Sequence, residues 1–106
     1  MKVKVRHKFN AKPTVADGIR FDSKMEARYY DKLKIVKDAG DLLFFLRQVP
    51  FHIPGGIRYV VDFVEFWKDG EVKFTDVKGF ETPDFIMKKK IVENLYPITI
   101  NVIKKV

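Results

Sequence analysis

Two strand-like runs joined by a turn at Asp69-Gly70 are the feature that most restricts the fold of this chain. The first run, Ile57 to Trp67, is dense in β-branched and aromatic residues, and both of its alternating faces are mostly apolar. Such a strand has to be covered on both sides, which favours a central position in a sheet. The second run, Glu71 to Lys78, carries Asp76 and Lys78 two residues apart, so their side chains point to the same face.

The length of the turn decides which residues of the two strands face each other. A two-residue loop places Asp62 opposite Val77, on a different face from Asp76. A three-residue loop, Lys68-Asp69-Gly70 with Gly70 in the left-handed region, places Asp62 opposite Asp76. Opposed carboxylates repel each other unless a cation lies between them. We prefer the longer loop because it also gathers one continuous apolar face from Val60, Val64, Phe66, Val72 and Phe74.

Caps and periodicity predict a helix before these strands. Ser23 is a good N-cap, Gly40 is a C-terminal stop, and the helix has an apolar stripe made of Met25, Tyr29, Leu33 and Val36. Glu26 stands at the capping-box position and also borders this stripe. It is therefore either a cap or a carboxylate aimed at the sheet, and the two roles are compatible only in part.

The other elements complete an α+β pattern. Residues 42–53 read as a strand interrupted near Pro50, and residues 98–103 alternate as a last strand. Thr82 caps a second helix that runs to about Tyr96 and is expected to bury Phe85, Val92 and Leu95. The predicted order is helix, three strands, helix, strand, with a mixed central sheet flanked by helices.

Length and charge limit the possible functions. The 106 residues suffice for one domain, with residues 22–106 as the core and residues 1–21 as a basic arm and loop. Within that leading part, residues 2–9 alternate as a short strand or extended arm and residues 10–18 form a loop. A net charge of +7 favours a polyanionic partner, with nucleic acid first and an anionic membrane second. The chain has no cysteine, so thiolate metal sites and cysteine nucleophiles are excluded. No run is long and apolar enough for a signal peptide or a membrane span, and we expect a cytoplasmic protein without a membrane partner.

The acidic residues offer a specific chemistry. Asp62, Asp76 and the carbonyl of Val77 are hard oxygen ligands suited to Mg²⁺ or Mn²⁺. Lys78, on the same face as Asp76, can orient a water molecule or offset charge that develops on a phosphate. The simpler interpretation, an ion pair between Asp76 and Lys78 on one strand edge, does not explain Asp62.

These residues resemble the PD-(D/E)XK nuclease superfamily, whose core is helix, three strands, helix, strand. The stretch from Asn10 to Tyr30, which includes Asp17-Gly18-Ile19-Arg20-Phe21-Asp22-Ser23-Lys24-Met25-Glu26-Ala27-Arg28, is similar to its small phage and prophage branch, related to phage Holliday-junction resolvases. The resemblance implies a restriction-endonuclease-like fold with Glu26, Asp62, Asp76 and Lys78 as catalytic residues. Val61 departs from the pattern, since the family name has proline at that position.

The resemblance implies a divalent-metal-dependent DNA endonuclease, in which Glu26 binds the metal directly or through water. Phosphate contacts are expected from basic residues of the arm and of both helices: Arg6, Lys8, Lys12, Lys24, Lys88, Lys89 and Lys90. A solvated helix face explains the three consecutive lysines about equally well, and His7 and His52 receive no catalytic role. The alternatives are a nucleic-acid-binding module without activity and a subunit of a larger DNA-processing assembly, and a homodimer would suit a resolvase.

Overall fold

The computed structural model describes residues 13–106, which form six strands and two helices. In chain order they are β1 (Thr14–Ala16), β2 (Ile19–Phe21), α1 (Lys24–Asp38), β3 (Leu42–Ile53), β4 (Ile57–Trp67), β5 (Val72–Val77), α2 (Pro83–Leu95) and β6 (Ile100–Ile103). The basic arm predicted for residues 2–9 lies outside the described residues, and so do Arg6, Lys8 and Lys12.

The main sheet has four strands in the order β3-β4-β5-β6. The first three strands are antiparallel neighbours, whereas β6 pairs in parallel with β5 after the crossover through α2. One helix packs on each face, so the predicted α+β fold with a mixed central sheet is confirmed. In the part of the chain that the structure describes, neither helix is long and apolar enough to cross a bilayer.

The hairpin between β4 and β5 has the longer loop. Phe63 pairs with Thr75 and Phe66 with Val72, and the Trp67 N–H donates to the Glu71 carbonyl over 2.9 Å. Gly70 has φ +92°, in the region that a residue with a Cβ rarely adopts. The three-residue loop is therefore confirmed, and the same register continued by one residue sets Asp62 opposite Asp76.

The alternation of β4 breaks at Asp62, which differs from the face assignment made from the sequence. Phe63 packs in the core under α1, but Val61, two residues away, packs in the core under α2 together with Val64. At the same level on the neighbouring strand, between the pairs Arg47–Phe63 and Val49–Val61, Gln48 has a left-handed backbone with φ +53°. A residue in that conformation interrupts the pleat, so side chains on either side of it no longer alternate regularly.

Three further predictions need correction. The loop expected over residues 10–18 contains β1, which pairs with β2 through a two-residue turn at Asp17-Gly18, both with positive φ. Strand β3 is not interrupted near Pro50, which pairs with Val60; β3 is an edge strand, where a missing N–H is tolerated. Leu95 is 53% exposed instead of buried, because the helix ends there and the apolar face of α2 is carried by Phe85 and Val92.

Two apolar clusters hold the helices to the sheet. The cluster under α1 also takes in β2, and its buried members are Phe21, Ala27, Tyr29, Tyr30, Leu33, Leu42, Phe63 and Val77. The cluster under α2 consists of Ile53, Tyr59, Val61, Val64, Phe85, Val92 and Ile100. Asp62 and Asp76 lie where these two clusters meet, so their position is fixed by packing on both sides of the sheet.

Candidate active site

Asp62 and Asp76 are joined to each other through backbone N–H groups. The N–H of Asp62 donates to Asp76 Oδ1 over 2.9 Å, and the N–H of Val77 donates to Asp62 Oδ2 over 2.9 Å. The regular pairing of β4 with β5 ends at Phe63 and Thr75, and beyond it these carboxylates link the two strands. Charge-assisted hydrogen bonds of this kind hold both side chains in one geometry.

Each remaining carboxylate oxygen of the pair also accepts one hydrogen bond. Tyr59 donates its hydroxyl to Asp76 Oδ2, and Gln48 Nε2 donates to Asp62 Oδ1 over 3.3 Å. A carboxylate oxygen has two lone pairs, so each of the four oxygens keeps one lone pair for a further ligand.

Glu26 belongs to the same cluster. Its N–H donates to Ser23 Oγ over 3.1 Å, which caps α1, but its side chain does not fold back onto the cap. Glu26 Oε2 instead accepts from Gln48 Nε2 over 3.3 Å, so one amide group bridges Glu26 and Asp62. Only 5% of Glu26 is exposed. Glu26 is therefore a carboxylate that faces the sheet, and its side chain does not cap its own helix.

Burial raises the pKa values of all three carboxyl groups, and repulsion by neighbouring acids adds to the shift of Glu26 and Asp62. Burial, followed by the charges of Asp62 and Asp22, raises the pKa of Glu26 to about 7. Burial and the charge of Asp76 raise the pKa of Asp62 to about 6. The pKa of Asp76 is also raised by burial, although its hydrogen bonds oppose the shift. The cluster is short of positive charge, and bringing a cation into it would relieve the repulsion.

Lys78 lies at the edge of this cluster. Its Nζ is 4.9 Å from the centre of the Phe85 ring, a cation–π contact with α2. Its charge also helps to hold down the pKa of both Asp62 and Asp76. The charge of Lys78 therefore acts on both carboxylates, although its Nζ does not come within 4 Å of an oxygen of either.

Within the described residues, the lysines predicted to contact DNA lie on α1 and α2. Lys24 is exposed at the start of α1. On α2, Lys88 pairs with Asp84 over 3.1 Å, Lys89 pairs with Glu93 over 3.4 Å, and Lys90 is exposed. The charge of Lys89 also lowers the pKa of Asp76, so this lysine is the one of the three whose charge acts on the carboxylate cluster.

The sequence reasoning missed several residues around the cluster. Gln48 and Tyr59 donate to its carboxylates, and Arg47 Nη2 lies 3.9 Å from Glu26 Oε2. No local pattern marks the first two, because Gln48 reads as a polar residue on an edge strand and Tyr59 as an ordinary core aromatic. Arg47 could have been identified from the sequence, because it is a basic residue within an otherwise apolar strand.

Glu65 is a fourth buried carboxylate, and it is separate from the cluster. It is fully buried under α1, where the Tyr29 hydroxyl donates to it over 2.6 Å and Trp67 Nε1 over 3.1 Å. Two donors satisfy this carboxylate inside the core. Its place in an alternating, mostly apolar strand face was the signal in the sequence.

The donor set fits a hard divalent cation. Asp62 and Asp76 present carboxylate oxygens with free lone pairs, and burial disfavours the charged form of both, with repulsion from Asp76 adding to the effect at Asp62. Among residues 13–106, no three Asp, Glu, His or Cys side chains are close enough together to hold a metal ion by themselves. A cation at this position would therefore be held by the two aspartates with backbone or water oxygens, as Mg²⁺ commonly is.

The fold and the cluster define the class of this protein. It is an α+β protein whose mixed four-stranded sheet, flanked by two helices, gathers three carboxylates where β4 and β5 separate. The chain belongs to the family described as "Protein of unknown function (DUF1064)", whose family model matches residues 6–105. No match was found among curated proteins or among solved structures.

Proposed function

We propose that this protein is a divalent-metal-dependent DNA endonuclease with the restriction-endonuclease-like fold of the PD-(D/E)XK superfamily. The observation that carries the proposal is the pairing of Asp62 with Asp76 across adjacent strands, with Glu26 bridged to them by Gln48. Three acids converging from a helix and two strands are more than a stable fold needs, because their repulsion is a cost. Phosphodiester hydrolysis would account for this arrangement, because the acids would bind the metal ion that the reaction uses.

In this proposal Asp62, Asp76 and the Val77 carbonyl hold Mg²⁺ or Mn²⁺, and Glu26 binds the ion directly or through water. Bound there, the ion would supply positive charge to the phosphate and increase the acidity of a water molecule. With the ion bound, Glu26 would be ionised, because the positive charge offsets the repulsion that raises its pKa in the protein alone. Lys78 offsets the negative charge that accumulates on the phosphate, and the hydrogen bonds from Tyr59 and Gln48 keep the aspartates oriented.

The basic surface supports DNA as the substrate. The net charge of +7 favours contacts with the phosphate backbone that are independent of base sequence. The resemblance to phage Holliday-junction resolvases is the reason to include branched DNA among the substrates. A phage DNA-processing role in the host cytoplasm would follow from the same resemblance.

A nuclease assay tests this proposal. The wild-type protein is incubated with Mg²⁺ or Mn²⁺ on plasmid, single-stranded and four-way-junction DNA, beside Asp76→Asn and the matched control Asp84→Asn, which changes an exposed carboxylate on α2. We expect cleavage by the wild type and by Asp84→Asn, and a loss of at least about 100-fold in Asp76→Asn because the ion loses a ligand.

Two results would contradict the proposal. If the wild type and Asp76→Asn are equally inert on all three substrates, the protein is not a nuclease of this type. Tight DNA binding that EDTA does not alter, without cleavage under either metal, would favour the nucleic-acid-binding module instead.

A further inference from the structure

Arg47 lies next to the carboxylate cluster, and the catalytic roles proposed above do not include it. Its guanidinium carbon is 4.4 Å from the centre of the Phe21 ring, so the aromatic face of β2 supports it. Its Nη2 is 3.9 Å from Glu26 Oε2, an ion-pair distance that is longer than a hydrogen bond. The Phe21 ring and the Glu26 carboxylate thus hold the guanidinium in place, but neither of them accepts a hydrogen bond from it.

One donor of this side chain lacks a partner. Arg47 Nε is buried, and within residues 13–106 it is the buried side-chain nitrogen or oxygen for which no hydrogen-bond partner is present. Buried polar groups are nearly always satisfied, so an exception beside a candidate functional site calls for an explanation. The side chain as a whole remains 23% exposed, so a ligand can reach the guanidinium.

The backbone next to Arg47 explains how it comes to face the cluster. In a regular strand the side chains of Arg47 and Gln48 would point to opposite faces. Gln48 instead has φ +53°, and both consecutive side chains approach Glu26. A left-handed backbone at a residue with a Cβ is strained, and such strain is concentrated at functional sites. Here it aims two adjacent side chains at one carboxylate.

The chemistry of the guanidinium identifies the ligand. A phosphate that approaches Glu26, Asp62 and Asp76 is repelled by their charge, so a cation has to meet it at the entrance. Arginine offers a planar fork of donors that matches two phosphate oxygens, which lysine cannot reproduce. We propose that Arg47 binds a backbone phosphate of DNA beside the carboxylate cluster; this inference rests on the proposed nuclease function and adds a phosphate-binding residue to it.

The first test is DNA binding without turnover. Fluorescence anisotropy with a labelled DNA duplex in EDTA, at several salt concentrations, compares the wild type with Arg47→Gln and Arg47→Lys. The matched control is Arg28→Gln, which removes an exposed arginine on α1. We expect Arg47→Gln to weaken binding about tenfold and to reduce the slope of log K against log salt by about 0.9, because one phosphate contact is lost. Arg47→Lys should keep the slope but bind several-fold more weakly, and Arg28→Gln should lie close to the wild type.

Thermal unfolding of each variant separates binding from folding. A purely structural Arg47 would lower the melting temperature of Arg47→Gln without changing its salt slope, and that result would overturn the inference. If Arg47→Gln does not fold, Arg47→Lys decides, since it keeps the charge and the aliphatic stem; wild-type affinity in Arg47→Lys would then refute the role of the planar fork.

Failure of this inference can be told apart from failure of the nuclease proposal. The binding measurement needs no activity, so it still tests Arg47 if the wild type cleaves nothing. If the wild type does cleave DNA but Arg47→Gln binds and cleaves as the wild type does, Arg47 is refuted while the nuclease proposal stands.

Discussion

At the scale of single residues, the charges of the carboxylate cluster make stability depend on pH. The fold raises the pKa of Glu26 from its ordinary 4.5 to about 7. At a pH between these two values, Glu26 keeps its proton in the folded state, whereas it has already released the proton in the unfolded chain. The contribution of Glu26 to stability is therefore full below pH 4.5 and is lost as the pH rises to 7, because the folded state then carries a buried, repelled charge.

This dependence predicts that Glu26→Gln stabilises the metal-free protein at neutral and higher pH. We expect the variant to exceed the wild type by ~1–3 kcal/mol above pH 7, since each pKa unit corresponds to about 1.4 kcal/mol, and the difference to vanish near pH 4.5. Urea unfolding in EDTA across this pH range measures it. Glu71→Gln, which changes an exposed carboxylate in the hairpin, should follow the wild-type curve. A Glu26→Gln variant that is less stable at every pH would contradict the repulsion described for the cluster.

The sequence identified the acids but not the groups that hold them. Glu26, Asp62 and Asp76 are recognisable because charged residues on apolar faces are costly, so each demands an explanation. Gln48 and Tyr59 carry no such cost in the sequence, and their roles depend on a backbone conformation and a contact that only the folded chain specifies. Glu65 shows that a costly charge need not mark a functional site, because hydrogen bonds from Tyr29 and Trp67 satisfy its carboxylate inside the core.

At the scale of elements, the hairpin between β4 and β5 sets the register on which the cluster depends. Its turn could be predicted because Asp69-Gly70 permits few geometries and only one of them gathers the apolar side chains on one face. The break at Asp62 could not, since a strand pattern assumes an unbroken pleat and Gln48 is not a residue type that favours positive φ. The short β1–β2 hairpin was missed because three-residue strands are too short to show a period.

The turn residue Gly70 provides a direct test of this element. Gly70→Ala should destabilise the protein by about 1–2 kcal/mol, because alanine at φ +92° is sterically disfavoured. Differential scanning calorimetry should show a melting temperature lower by roughly 4–8 °C per kcal/mol. Gly79→Ala is the matched control: Gly79 has no positive φ, and an added Cβ would meet Met25 Cε at an ordinary 3.7 Å. Equal melting temperatures for the two variants would mean that the turn does not constrain the hairpin.

At the scale of the whole molecule, the excess of positive charge is expected to govern encounter with DNA. Lys88, Lys89 and Lys90 lie on α2, and the charge of Lys89 reaches Asp76, so this helix would orient DNA towards the cluster. Replacing all three by glutamine should weaken binding and flatten the salt dependence by about 2–3 units of slope. A filter-binding or anisotropy titration at several salt concentrations measures both effects.

The control for this prediction removes the same net charge elsewhere. Lys37, Lys68 and Lys105 are exposed and lie on α1, in the β4–β5 turn and after β6. Changing these three to glutamine should reduce the slope by clearly less. If the two triple variants bind DNA equally, attraction by net charge without a preferred helix is the better description.

Most of the aromatic side chains in residues 13–106 pack against other parts of the molecule. Tilted and edge-on ring pairs link α1, β2, β3 and β4 through Phe21, Tyr30, Phe45 and Phe63. Phe44, which stacks on Phe66 at 4.3 Å, remains 44% exposed on the edge strand. The homodimer considered from the sequence stays a prediction, and analytical sedimentation would test it.

The break in the pleat at Asp62 also limits how a chain of this fold can vary. A change of side-chain volume at Phe63 has to be accommodated by residues of α1, and one at Val61 by residues of α2. The two sides of the sheet can therefore accept substitutions independently of each other. An inserted or deleted residue at Gln48 is different, because β3 contributes Leu42 to the core under α1 before this point and Ile53 to the core under α2 after it. A change of length there would shift the two contributions relative to each other and to the acids on β4 and β5.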